Sequence, residues 1–211
     1  MSSTWKDVDK VEEYTGRVGR LAPRLAGETE LAAALPTAAR RILDLGCGDG
    51  RLISVVLAVR EEVSEAIGLD SSPPMLELAR GAFSGDHRVT ISAHDLGEPL
   101  PALGAFDVVM SGFAIHHLTD ERKRSLLDEV LALLRPGGVF VNLEVVRCAT
   151  PELQEEFHRL IGRAGGDPED LLAPVEAQLD WMRDAGFHHV DCNWRWRGFA
   201  LLVGRAPEAS I

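Results

Sequence analysis

The run Asp44-Leu45-Gly46-Cys47-Gly48-Asp49-Gly50 concentrates the residue types that bring a ligand against the backbone. Glycines permit a tight turn and leave no side chain between the main chain and a bound group. A nucleotide-like ligand is implied. A dinucleotide fingerprint would place a third glycine where Arg51 stands, and the Lys-Ser/Thr pair of a phosphate loop is missing, so neither of those sites is indicated. An acidic residue, Asp44, precedes the first glycine by two positions, and a carboxylate there attracts a cation. Asp70 follows about 20 residues after the glycines, where a carboxylate commonly accepts the ribose hydroxyls of an adenosine. In His94-Asp95-Leu96, Asp95 can accept from an adenine amino group while Leu96 offers an apolar surface.

These residues need a scaffold, and the chain alternates strand-like apolar runs with helical patterns. Strands are predicted at Arg41 to Leu45, Ala66 to Asp70, Val89 to Ala93, Phe106 to Met110 and Val139 to Val145. Leu52, Ile53, Val55, Val56 and Val59 suit a buried helix, and Pro73-Pro74 starts another through Met75, Leu76 and Leu78. A helix from about Thr119 to Leu134 should end at Pro136-Gly137-Gly138. Further on, Leu153, Phe157, Leu160 and Ile161 share a helical face, a helix runs from about Pro174 to Ala185, and His188 to Trp196 with Phe199 to Arg205 form a hairpin. Asp44, Asp70 and Asp95 thus fall at successive carboxyl ends of strands, the edge where open α/β sheets bind ligands. Taken one at a time, each could merely cap the next helix or turn.

The segments Ile42 to Gly50, Gly68 to Leu76, Phe106 to Leu118 and Leu134-Arg135-Pro136-Gly137-Gly138 resemble, in order, the motifs of class I S-adenosylmethionine-dependent methyltransferases. The resemblance covers Tyr14 to Arg147 well, and 148–173 only in kind. It implies an α/β fold with a Rossmann-like, seven-stranded, mostly parallel sheet of order 3-2-1-4-5-7-6, strand 7 antiparallel and helices on both faces. It implies one domain over 1–211, with a helical cover at 1–38 and a variable, substrate-side insertion at 148–173. It also implies S-adenosyl-L-methionine as cofactor, with S-adenosyl-L-homocysteine as product. The cofactor set carried over is Asp44, Gly46, Cys47, Gly48, Gly50, Asp70, Ser71, Met75, His94, Asp95, Leu96 and Ser111. Cys47 is read there as a small packing residue rather than a nucleophile, and Ser111 as a backbone contact to the methionine end.

Methyl transfer from a sulfonium is an in-line displacement, so positioning and desolvation carry most of it, and a base is needed only for a protonated nucleophile. His116 and His117 are the candidate bases. The competing reading has His117 bracing the loop beside the cofactor and allows His116 an exposed position. Tyr14, Glu144, Phe157 and His158 are substrate-side candidates, although Tyr14 and Phe157 also suit packed helix faces.

The remaining partners are constrained by composition. A net charge of -11 argues against nucleic acid as the main partner. Trp194-Arg195-Trp196-Arg197 could stack on bases, but Val190, Cys192, Trp194 and Trp196 more simply form the inward face of a strand. The longest apolar run, Leu52 to Val59, is too short to span a bilayer. Three scattered cysteines fit a reducing cytoplasm and offer no zinc spacing, and no metal site is indicated. A small-molecule acceptor is expected, with no nucleic-acid or membrane partner. Two other readings are a non-catalytic sensor or partner subunit holding the same cofactor and, less well supported, an NAD-dependent oxidoreductase.

Overall fold

The computed structural model describes residues 21–209. Five parallel strands form its frame: β1 (Arg41–Leu45), β2 (Glu65–Asp70), β3 (Val89–Ala93), β4 (Phe106–Gly112) and β5 (Leu134–Val145). β6 (His188–Trp196) and β7 (Phe199–Arg205) complete a sheet of order β3-β2-β1-β4-β5-β7-β6, with β7 antiparallel to both neighbours. The implied topology is therefore observed.

Six helices cover this sheet among the described residues: α1 (Ala22–Ala34), α2 (Arg51–Val59), α3 (Pro73–Ala82), α4 (Asp120–Leu133), α5 (Pro151–Leu160) and α6 (Val175–Asp184). β1 is buried along Ile42 to Leu45 because helices close both faces of a parallel sheet, which is why it reads as a continuous apolar run broken only by Asp44. Apolar clusters fill the space on each side. One gathers Leu43, Leu45, Phe106 and Phe140, the other Ile42, Ile53, Val108 and Leu143. α1 comes close to the sheet through Gly27, where a Cβ would stand 2.8 Å from a Leu143 methyl.

Strand order reverses between β1 and β4, opening a crevice at their carboxyl ends. Register places Leu45 beside both Leu69 and Ser111, so Asp44, Asp70 and the residues after Ser111 meet along that edge.

Two boundaries differ from the sequence expectation. α4 stops at Leu133, and β5 begins at Leu134, paired with Phe106, so Pro136-Gly137-Gly138 lies within β5. A register shift between Phe106 and Val108 absorbs it, and the Gly137 N–H is satisfied by the Pro207 carbonyl. β6 alternates as expected, with Val190, Cys192, Trp194 and Trp196 half-buried and Asp191, Asn193 and Arg195 exposed. It is also irregular: its pairing with β7 shifts between His188 and Asp191 and again between Cys192 and Trp194, and His189 adopts φ 51°. Among the described residues, no helix is long and apolar enough to cross a membrane.

Candidate functional site

The turn from β1 to α2 builds the floor of the crevice. Gly46, Gly48 and Gly50 all take positive φ, at 72°, 53° and 85°. At Gly46 a Cβ would overlap the Ala114 Cβ at 2.2 Å, so this glycine lets the loop after β4 cross the turn. Gly48 faces open space, with only the Met75 sulfur near, at 3.9 Å. The surrounding cavity is lined by Asp44, Gly46, Cys47, Gly48, Asp70, Ser71, Met75 and Leu96, together with Arg24, Phe113, His117 and Glu169.

Asp44 has the strongest electrostatic signature. Its carboxylate is buried at the cavity wall, and neither oxygen has a hydrogen-bond partner. Burial, reinforced by the nearby charges of Asp70 and Asp49, pushes its pKa well above the usual carboxylate range. An unpaired buried carboxyl is costly unless a cation meets it. Asp70 is better satisfied: Gly48 N–H donates to its Oδ2 at 2.9 Å and Ser72 N–H to its Oδ1 at 2.8 Å. Burial raises its pKa while those backbone donors oppose the rise, and the carboxylate keeps lone pairs for hydroxyl groups. Cys47 is buried, and its thiol pKa is pushed far upward, chiefly by burial, which disfavours the thiolate that nucleophilic attack requires.

Opposite these acids stands an ionic group the sequence pattern did not reveal. The Arg51 guanidinium bonds both oxygens of Glu28 at 2.7 Å, and Arg24 Nε reaches Glu28 Oε1 at 2.9 Å. Burial alone would raise the Glu28 pKa, but the two arginines outweigh it and hold the carboxylate ionised. Arg24 lies 4.7 Å over the Phe113 ring. Arg24 and Arg51 both line the cavity, where a guanidinium can meet a carboxylate.

The two histidines occupy a short 3₁₀ turn, Ile115–His117, and only His116 departs from the expectation. His116 is buried, not exposed: its Nδ1 lies 2.5 Å from Glu144 Oε1, and its Nε2 lies 3.4 Å from Asp170 Oδ1. Burial alone would lower its pKa, but the two carboxylates carry it to about 9. His117 lines the cavity, and burial together with its charged neighbour His116 lowers its pKa.

Other candidates stand away from the cavity lining. Glu144 is behind His116, and Ser111 is fully buried with its Oγ donating to the Leu45 carbonyl at 2.8 Å, so Gly112 and Phe113 take its place at the wall. Gly50 caps α2 and packs its α-carbon against Phe83. Asp95 accepts the Gly97 N–H at 2.8 Å, and neither it nor His94 reaches the lining, whereas Leu96 does. Phe157 packs edge-on against Phe199, and His158 pairs with Gln154, so neither faces the cavity. Tyr14 lies outside the described residues.

Residues 42–138 match the family model of the methyltransferase domain. The chain is 33% identical to trans-aconitate 2-methyltransferase of Methylobacterium radiotolerans over 76% of its own length and 66% of that protein. It is 28% identical to carboxy-S-adenosyl-L-methionine synthase of Hydrogenovibrio crunogenus, over 74% of this chain and 64% of the relative. The chain thus spans just under two thirds of the length of these two relatives. The fold superposes on an O-methyltransferase family protein from Burkholderia thailandensis with a TM-score of 0.74 at 22% identity, covering 96% of this chain and 60% of that one. With its sheet order and glycine turn, the chain belongs to the class I S-adenosylmethionine-dependent methyltransferase family.

Proposed function

We propose that this protein transfers a methyl group from S-adenosylmethionine to a small-molecule acceptor. The observation that carries the reading is Asp44: a buried, unpartnered carboxylate on the wall of a cavity floored by a glycine turn needs a cation, and the methionine ammonium meets that need. Arg24 and Arg51 favour a carboxylate at the same end, and Asp70 takes the ribose hydroxyls. Ser71, Met75 and Leu96 enclose the adenosine. Gly46 and Gly48 keep the backbone within reach, while Cys47 fills space. When bound, S-adenosylmethionine supplies a methyl carbon activated by its own sulfonium.

The protein's part is to orient the acceptor and exclude water. His117 presents its ring to the cavity in the neutral form and can take a proton from an acceptor hydroxyl or acid. His116, clamped by Glu144, anchors the turn that carries it. Glu169 and Asp170 bring the segment 148–173 to this wall, which supports its reading as the acceptor-side insertion. We place all of 1–211 in one catalytic unit, with 1–38 as cover. Free thiols at Cys47, Cys148 and Cys192 fit a cytoplasmic setting.

The test has two stages. Calorimetric titration should show binding of S-adenosylmethionine and S-adenosylhomocysteine, no binding of NAD, and loss of affinity in Asp44→Asn. A metabolite extract incubated with isotopically labelled cofactor should then yield a labelled small molecule by mass spectrometry. Tight cofactor binding with no labelled product from any extract would favour a sensor, and NAD binding would overturn the reading.

A further inference from the structure

Three ligating side chains converge behind the cavity wall from segments more than fifty positions apart in the sequence. One ligand atom from each of His116, His117 and Asp170 lies within 4.8 Å of the others. Asp170 Oδ1 stands 3.4 Å from His116 Nε2 and 3.7 Å from His117 Nδ1. We propose that these three residues bind a first-row divalent cation of the zinc type, with one coordination position open toward the cavity.

Tetrahedral coordination with bonds of about 2.0–2.1 Å sets neighbouring ligand atoms about 3.4 Å apart, close to the two separations observed. Asp170 Oδ1 is buried, and its 3.4 Å contact with His116 Nε2 is long for a hydrogen bond, although the two still interact through their charges. Beside His116 itself, Lys123 is bonded to Asp120 and the Leu171 carbonyl and Arg163 to Asp167, so a cation at this point would take the place of the His116 ring proton. Glu144 completes the arrangement. By holding His116 through Nδ1 it directs Nε2 at Asp170, as carboxylates orient metal-bound imidazoles. The 3.4 Å contact of His117 Nδ1 with the Glu169 carbonyl is long for a hydrogen bond.

Three protein ligands and an open position are the form of a site that presents its metal to a substrate. His117 lines the cavity, so that position faces the volume assigned above to the acceptor. An acceptor with an oxygen donor, such as a hydroxyl beside a carboxylate, would fill it, and His117 would then meet the acceptor through the cation. Only this last step rests on the methyltransferase reading; cation binding is measured without cofactor or acceptor.

The test is titration of the chelator-stripped whole protein with Co(II), followed by visible absorption, and with Zn(II) by calorimetry. One equivalent of Co(II) should give intense tetrahedral bands that Zn(II) abolishes. Asp170→Asn should weaken binding at least tenfold, and Glu144→Gln about 10–100-fold, with circular dichroism matching the parent. His87→Ala, an exposed histidine, should change nothing. No binding, the weak bands of a six-coordinate surface site, or equal affinity in Asp170→Asn would overturn the proposal. Should Asp170→Asn fail to fold, the band intensity of the parent decides it. Loss of S-adenosylmethionine binding in Asp44→Asn is a separate readout and leaves this one unaffected.

Discussion

His116 Nδ1 and Glu144 Oε1 meet at 2.5 Å, tying the turn after β4 to the end of β5 with both side chains buried. Glu144 Oε1 also accepts the Val145 N–H at 2.7 Å. Removing one member leaves the other buried without its partner, a loss of about 3–5 kcal/mol. Glu144→Ala in chelator should therefore lower unfolding free energy by about 3 kcal/mol in urea titrations. The double replacement His116→Phe with Glu144→Leu should destabilise less than that single change. A double variant worse than Glu144→Ala would show that the pair is not the source of the loss.

Asp44 makes the free protein's stability depend on pH. Its folded pKa is raised, first by burial, whereas the unfolded carboxyl titrates near the usual value of about 4. Between those two values the folded form holds a proton that the unfolded form has released, so this contribution to stability falls as pH rises through that window. Asp44→Asn should raise the melting temperature of the free protein, with a gain that widens as pH rises above the unfolded carboxyl's value. A gain independent of pH would contradict the assignment. Cofactor affinity should move the other way: a bound cation favours the ionised carboxyl, so parent affinity rises with pH and the variant's does not.

Asp70→Ala removes the acceptor proposed for the ribose and leaves the Gly48 N–H without its partner. Hydrogen bonds to charged groups are worth about 1.5–3 kcal/mol, so the dissociation constant for S-adenosylmethionine should rise about 10–100-fold by calorimetry. An unchanged constant would refute the ribose role.

At Gly46 two separate demands coincide, a φ of 72° and a methyl contact with Ala114. Gly46→Ala should cost more than about 2 kcal/mol. Adding Ala114→Gly should recover the overlap but not the backbone strain, so the double variant should fall between parent and single. Full recovery would mean that strain at this φ is negligible.

What could be read beforehand was whatever local order encodes. The glycine turn and the acids at strand ends followed from residues adjacent in the sequence, and the strand order from the family resemblance that those segments carry. Leu134 to Gly138 misled because a proline and two glycines ordinarily end a regular element, whereas here a bulge opposite Phe106 accommodates them. His116 was allowed an exposed position because its burial depends on Glu144 and Asp170, which lie 28 and 54 positions away and announce themselves by no spacing. Arg24, Glu28 and Arg51 escaped notice for the same reason, since a lone arginine on a helix reads as a solvated charge until folding sets two of them around one carboxylate.

The irregular β6 has a consequence for the molecule in company. It is an edge strand, and an unpaired edge is a template on which another chain can add a strand. Its two register shifts and the left-handed His189 break the row of backbone donors and acceptors, while Asp191, Asn193 and Arg195 put polar side chains along it. At the opposite margin β3 offers only five residues. Neither edge of the sheet gives a second copy a long, regular strip to zip against, which guards a crowded solution of this protein against edge-to-edge aggregation.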